Sequence, residues 1–218
     1  AGHELWKSHD AIGIGIVYDM AKSGELVVPR VSGWLWLNDP PLYHWVALAL
    51  GSVFQYVIEF HSGARLASGT FVLLAFWLIY RAGRDWVITQ DRAASASAAM
   101  LLLLGSVGLM VHAHEAVPEL ATLAALCGAL AALAAAQRRP VAAGLAFGAA
   151  LGAGVASSSW VTPAALYVAV VAAHFVHAPW RTRRALLFLG VATVVALALG
   201  ALWPVALFRR APEAFAQW

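Results

Sequence analysis

Long apolar runs separated by short polar segments dominate the hydrophobic pattern of this chain. A bilayer core of about 30 Å needs roughly 20 apolar residues per helix, so runs approaching that length predict membrane-spanning helices. Six runs predict spans, namely 64–80, 94–111, 120–136, 140–156, 161–176 and 185–203. A seventh run, 42–58, follows a double proline and carries polar residues at its ends. It predicts a helix lying in the membrane interface, with a full span as the alternative.

The composition supports a membrane protein. Of the 218 residues, 62% are hydrophobic and only 11% are charged, whereas a soluble domain has about 25% charged residues. The mean hydropathy of +0.76 agrees. We therefore predict an all-α polytopic membrane protein with about six transmembrane helices. The run 140–156 is rich in glycine and alanine, which favours close packing against neighbouring helices over contact with lipid.

The charged residues exclude some functions and predict an orientation. The net charge is only +3 and the basic residues are scattered, so we expect no nucleic-acid partner. The single cysteine, Cys127, excludes an intrachain disulfide. The connections 112–118 and 157–160 contain no lysine or arginine, which places them outside the cytoplasm by the positive-inside rule. The connections after the first, third and fifth spans are predicted to be cytoplasmic because they contain Arg81, Arg84, Arg92, Arg138, Arg139, Arg181, Arg183 and Arg184.

This orientation divides the chain into three parts. Residues 1–63 form an extracytoplasmic loop with interfacial helices, residues 64–204 a transmembrane bundle, and residues 205–218 the start of the next outer loop. Polar residues at the ends of spans in an apolar protein indicate a functional site, with a solvated loop face as the alternative. On the predicted outer face they are His9, Asp10, Asp19, Asn38, Asp39, His44, His112, His114, Glu115, Glu119 and Ser157 to Ser159.

A metal site is one possible use of these residues. On a helix, His112 and Glu115 share a face at i, i+3, and Glu115 and Glu119 share one at i, i+4. The alternative is a first helical turn in which the carboxylates stabilise the helix dipole. No spacing here is diagnostic of a metal. A divalent metal therefore stays an option without an assigned site, with His112 and Glu115 as weak candidate ligands.

Four segments of the first outer region resemble a known family. They are DAIGIGIVYDMA at 10–21, SGELVVPR at 23–30, DPPLYHW at 39–45 and ARLAS at 64–68. In order and spacing they resemble the first outer loop of glycosyltransferases that use polyprenyl-phosphate sugars, the group of protein O-mannosyltransferases and aminoarabinose (lipid A) transferases. The similarity continues more loosely through 114–120 and 203–218. It covers nearly all of this chain but only the N-terminal part of such an enzyme.

The resemblance implies a GT-C membrane fold whose active site lies in an outward-facing cavity. It implies transfer of a sugar, with inversion, from a polyprenyl-phosphate-linked donor to an extracytoplasmic acceptor, which is a lipid, a glycan or a protein. The implied location is a bacterial inner membrane, where the protein is multi-pass and its active face is periplasmic. Membrane lipid is then a further partner.

Individual residues receive roles on this basis. Asp10 matches the acidic loop residue of the family and Glu119 a second acidic position, so both are predicted to be catalytic. The chemistry also needs a cation for the leaving phosphate. Arg65, at the mouth of a span, is the best placed, with Lys7 and Arg30 as alternatives. The complete set of predicted substrate-binding residues is Arg65, Tyr43, His44, Asp39 and His114.

Two departures from the family pattern motivate a second hypothesis. Ala11 stands where the family often has glutamate, and Asn38-Asp39 precedes the double proline where a lysine is common. Asp39 replaces a positive charge suited to phosphate by a negative one. The alternative prediction is therefore a non-catalytic GT-C-like accessory subunit of a membrane complex.

Overall fold

The computed structural model describes residues 8–87 and 91–218. Apart from one short β-hairpin, the regular structure in this part of the chain is helical. The elements in chain order are α1 (Ser8–Ser23), β1 (Arg30–Val31), β2 (Trp34–Leu35), α2 (Leu42–Phe54), α3 (Phe60–Trp86), α4 (Arg92–Leu104), α5 (Val107–His112), α6 (Glu119–Ala135), α7 (Pro140–Ser157), α8 (Val161–Val176), a 3₁₀ turn (Ala178–Trp180), α9 (Arg183–Gly200), α10 (Leu202–Arg210) and α11 (Pro212–Gln217).

Each of the six long apolar runs is helical, but their lengths differ. Among the described residues, three helical segments are long and apolar enough to cross a membrane: Phe60–Trp86, Pro140–Ser157 and Arg183–Arg210. Helices α2, α4, α6 and α8 are apolar but shorter. The second predicted span is divided between α4 and α5 at Gly105 and Ser106. The protein is thus a helical membrane protein, and the count of six spans stays a prediction.

Helix α7 packs closely against α9. Phe147 and Phe188 are fully buried there, with ring centroids 5.2 Å apart. Glycines on α7 allow a close backbone approach, since a Cβ built on Gly148 would lie 2.6 Å from the carbonyl oxygen of Ala192. Small residues at a helix interface permit this kind of contact in membranes. The close packing that the glycine content of the run 140–156 predicts is therefore present in α7.

Polar contacts separate the connections into two ends of the bundle. At one end, Thr182 Oγ1 donates to Gln137 Oε1 at 3.1 Å and Arg184 Nη1 donates to the Gln137 carbonyl at 3.3 Å. At the other, the hydroxyls of Thr122 and Ser158 are 2.8 Å apart. The arginine-bearing connections before α7 and α9 therefore meet at one end, called here the inner end. The connections free of lysine and arginine lie at the opposite, outer end.

The segment 24–45 and the C-terminal helices pack together at the outer end. Trp203 Nε1 on α10 donates to the Val27 carbonyl at 2.8 Å. Arg210 Nε donates to Glu25 Oε2 at 3.0 Å. Trp45 Nε1 on α2 donates to the Leu26 carbonyl at 2.8 Å. These contacts hold the outer segment against the bundle, with α1 next to α2 and α3.

Candidate functional site

Asp10 and Arg65 form a buried ion pair where α1 meets α3. Arg65 Nη2 is 2.5 Å from Asp10 Oδ2, and Arg65 Nε donates to Asp10 Oδ1 at 3.3 Å. Both side chains are only 1% exposed. Asp10 Oδ1 also accepts the backbone N–H of Ala116 at 2.9 Å. One carboxylate thus connects α1, α3 and the turn before α6.

The pair changes how the two predicted roles must be understood. Two nitrogens of the Arg65 guanidinium donate to Asp10, a fork-like geometry that is among the strongest charge-assisted contacts. The sequence alone predicts Asp10 as a base and Arg65 as a separate phosphate-binding cation, whereas the structure places them in direct contact. A role for Arg65 in phosphate binding stays a prediction, and it requires this pair to open.

A glycine allows α1 to approach the turn before α6. A Cβ built on Gly13 would lie 2.0 Å from the carbonyl oxygen of Ala116, which is far inside van der Waals contact. The same turn is held from α3, because Ser68 Oγ donates to the Glu115 carbonyl at 2.6 Å. The pattern of apolar and polar residues contained no signal for either contact, since both depend on how α1, α3 and the turn meet.

Tyr43 is part of this buried network. Its hydroxyl is 2.7 Å from Ser68 Oγ. Because the single hydroxyl hydrogen of Ser68 is donated to the Glu115 carbonyl, Tyr43 is the donor to Ser68. Burial raises the pKa of Tyr43 above its ordinary value, so the phenol is neutral. Tyr43 therefore positions the turn, and its predicted contact with substrate stays a prediction.

His44 lies on the wall of a small cavity at the outer end. It is 1% exposed, and neither ring nitrogen has a hydrogen-bond partner within the described part of the chain. Burial lowers the pKa of His44 to about 4, so the imidazole is neutral at pH 7. The cavity has a volume of about 30 Å³, enough for about two water-sized groups. It is lined by His9, Ile12, Gly13, Ile16, Trp36, Asp39, His44, Val117, Pro118 and Glu119.

Asp39 also lines this small cavity. It is half-buried, and its Oδ2 accepts a hydrogen bond from Trp36 Nε1 at 3.0 Å. The structure thus brings together Asp39, His44 and Glu119, which the sequence predicted as site residues. It adds Trp36 and also His9, which is one of the polar residues of the predicted outer face.

A larger crevice adjoins the small cavity. It has a volume of about 430 Å³, and its walls are mainly apolar. Because both cavities share His9, Val117 and Glu119, they are neighbours. Glu119 begins α6, is exposed and lines both the crevice and the small cavity. The full lining of the crevice is His9, Leu103, Ser106, Gly108, Leu109, His112, Val117, Glu119, Leu120 and Leu123.

The remaining predicted residues lie in the larger crevice, apart from both cavities, or outside the described chain. His112 lines the crevice, and its Nδ1 is 2.7 Å from Glu115 Oε2. The expectation that His112, Glu115 and Glu119 share a helix is wrong, because Glu115 lies in the turn between α5 and α6. Within residues 8–87 and 91–218, no group of three or more His, Cys, Asp or Glu residues is arranged to hold a metal ion. His114 lines neither cavity. Arg30 is exposed and donates to the Gly33 carbonyl at 3.3 Å, and Lys7 lies outside the described residues.

Comparison with known proteins gives matches to solved structures. No protein-family model matches the chain. No curated protein sequence matches it either. The structure of ArnT from Cupriavidus metallidurans bound to undecaprenyl phosphate is similar, with a TM-score of 0.79 and 26% sequence identity over 97% of this chain. The same protein in the apo state has a TM-score of 0.80 and 25% identity, again over 97% of this chain.

The similarity establishes a GT-C-type fold for this chain, because ArnT is a GT-C glycosyltransferase. The chain spans 39% of the length of these ArnT chains. It therefore corresponds to part of the larger fold, and the part includes the outer segment with both cavities.

Proposed function

We propose that this chain is part of a membrane glycosyltransferase that uses a sugar donor linked to a polyprenyl phosphate. The likeness to ArnT, solved with undecaprenyl phosphate bound, supports the donor class. The apolar helices support a membrane location. In this proposal the protein is multi-pass in a bacterial inner membrane, and the outer end of the bundle faces the periplasm.

The observation that carries the proposal is the position of Glu119. The exposed residue Glu119 lines both a crevice of about 430 Å³ and a small cavity. The mainly apolar crevice suits the first isoprenoid units of a lipid, and the small cavity offers Asp39 and His44 to hydroxyl groups at the other end of the donor. Glu119 is therefore a suitable residue for the reaction centre of a lipid-linked sugar.

The proposed chemistry assigns Glu119 a proton-transfer role. The acceptor hydroxyl or amine attacks the anomeric carbon, the bond from that carbon to the phosphate oxygen breaks, and the polyprenyl phosphate leaves with the bonding electrons. Glu119 accepts the proton that the acceptor loses. The neutral ring of His44 and the carboxylate of Asp39 accept hydrogen bonds from sugar hydroxyls.

Asp10 remains a second catalytic candidate in this proposal. Its ion pair with Arg65 and its bond to Ala116 fix the turn that leads into Glu119. It acts on the reaction directly if donor binding draws Arg65 toward the phosphate and the Asp10 carboxylate then accepts a proton. Without that movement, Asp10 is a positioning residue.

The test is the exchange of Glu119 for glutamine in the full-length protein. Glu119→Gln keeps the size of the side chain and removes its ability to accept a proton, so turnover should fall about 100- to 10,000-fold. Turnover is measured in membranes with a radiolabelled polyprenyl-phosphate sugar. Glu213→Gln is the matched control, because Glu213 is exposed on α11 and lines neither cavity. Near-normal turnover of Glu119→Gln at equal expression would remove Glu119 from the mechanism.

A second candidate function is a non-catalytic accessory subunit. The buried Asp10–Arg65 pair favours it, because the predicted base and the predicted phosphate-binding cation neutralise each other. If this candidate is correct, the unaltered protein transfers no sugar from any lipid-phosphate donor. In that case it stabilises a partner protein. This is measured by deleting the gene for this chain, after which the partner should be lost from the membrane.

A further inference from the structure

A second polar feature lies at the inner end of the bundle, far along the chain from the outer cavities. It is a cleft between the end of α8 and the start of α9, with a volume of about 530 Å³. The proposed glycosyltransfer does not involve it. Its lining consists of His174, Phe175, Arg181, Thr182, Arg183 and Leu186.

The polar part of the lining is basic. Arg181 and Arg183 contribute two positive charges, and none of the described residues that line the cleft has a carboxylate. Arg181 is held in place because its Nε donates to the Phe175 carbonyl at 3.1 Å. Arg183 is exposed and occupies the first position of α9, where the helix dipole adds a partial positive charge. The cleft therefore attracts an anion.

The other side of the cleft is apolar and open. Phe175 is 67% exposed and Leu186 55% exposed, and their neighbour Val176 is 82% exposed. Exposed apolar side chains on a helix of a membrane protein are suited to contact with lipid. A ligand in this cleft therefore meets two arginines with its charged part and apolar side chains with the rest.

We propose that this cleft binds the phosphate of an anionic phospholipid, with the acyl chains lying along Phe175 and Leu186. Basic pockets at the inner ends of membrane helices are suited to anionic headgroups, and each arginine near the surface adds about 1 kcal/mol of attraction. The arginine-bearing end of the bundle is also the end that the positive-inside rule places toward the cytoplasm. The site is separate from the proposed donor site, and the proposal does not depend on glycosyltransfer.

The experiment measures lipid binding to the purified full-length protein in neutral detergent. Phosphatidylglycerol and phosphatidylcholine are titrated separately, and bound lipid is counted by native mass spectrometry. The unaltered protein should prefer phosphatidylglycerol. Arg183→Gln should weaken that binding about 5-fold, and the double variant Arg181→Gln/Arg183→Gln about 30-fold. Arg183→Lys should retain most of the affinity, because it keeps the positive charge.

Arg209→Gln is the matched control, since Arg209 is an exposed arginine on α10 at the outer end of the bundle. Its phosphatidylglycerol binding should be unchanged. Equal lipid binding by the unaltered protein and the double variant, when both are monodisperse, would overturn the proposal. Displacement of the lipid by millimolar inorganic phosphate would also overturn it, because the cleft would then be a simple anion site.

Discussion

The buried ion pair between Asp10 and Arg65 has different consequences for folding and for catalysis. For folding, it connects α1 to α3 without exposing either charge, and the Ala116 N–H also donates to Oδ1. Removing one member takes this counter-ion away from a buried charge, which is costly. For catalysis, the pair occupies the carboxylate, so any proton transfer to Asp10 needs Arg65 to move.

A double-mutant cycle measures the structural part of this role. Asp10→Asn and Arg65→Met should each lower stability by about 3–5 kcal/mol, because each removes the counter-ion of a buried charge. The double variant should be less destabilised than the sum, since both charges of the pair are then gone. Stability is measured as the thermal unfolding midpoint in detergent. Strictly additive losses would show that the pair does not form.

The same variants separate positioning from catalysis at Asp10. Sugar transfer by the folded double variant is the deciding measurement. The reference is the folded fraction of Arg65→Met, which lacks the same arginine but keeps the Asp10 carboxylate. If Asp10 only positions the turn, the double variant is at least as fast as this reference, whereas it is about 100- to 10,000-fold slower if Asp10 accepts the proton.

At the scale of elements, glycine determines how closely helices approach. On α7, a Cβ at Gly144 would lie 2.8 Å from the Phe188 carbonyl oxygen, and one at Gly152 would lie 2.6 Å from Leu199 Cβ. The three positions Gly144, Gly148 and Gly152 are four residues apart, so they form one stripe along α7. The contact of α7 with α9 therefore depends on the absence of side chains along this stripe.

The substitution Gly148→Ala tests this packing. The added methyl group would lie 2.6 Å from the Ala192 carbonyl oxygen, so the helices must separate, at a cost of about 1–3 kcal/mol. Gly190→Ala on α9 is the control, because nothing lies within 4 Å of a Cβ built there. It should be neutral or slightly stabilising through its better helix propensity. If Gly148→Ala and the unaltered protein had equal unfolding midpoints in detergent, the contact of α7 with α9 would not depend on the glycine stripe.

At the scale of the whole molecule, polar groups gather at the two ends of an apolar bundle. The outer end contains the cavities around Glu119, and the inner end contains the cleft around Arg183. Arginine resists translocation, which predicts that the inner end is cytoplasmic. The proposed glycosyltransfer requires the opposite end to face the periplasm.

Cysteine labelling tests this orientation. Ser159 is exposed between α7 and α8 at the outer end, and Ala178 is exposed in the 3₁₀ turn at the inner end. In a background with Cys127→Ala, Ser159→Cys should react with a thiol reagent that crosses the outer but not the inner membrane. Ala178→Cys should react only after the inner membrane is permeabilised. The reverse pattern would invert the topology.

The sequence by itself determined the helical character of the chain and the approximate limits of its apolar helices. These properties follow from local features, namely runs of apolar residues interrupted by charges, prolines and glycines. The run 42–58 shows this, since α2 (Leu42–Phe54) begins just after the double proline. The arginine content also predicted which connections lie at the same end. The connection that contains Gln137 and the one that contains Thr182 both carry arginines, and they meet at one end of the bundle.

Tertiary structure alone decided which outer residues lie together. Asp10 meets Arg65 across 55 residues and the Ala116 N–H across 106. Such contacts depend on where helices cross, which a hydrophobic period does not encode. The same packing buries Asp10 but leaves Glu119 exposed beside two cavities. Two carboxylates of similar appearance in the sequence thus acquire different chemistry, because only one of them is covered by a neighbouring helix.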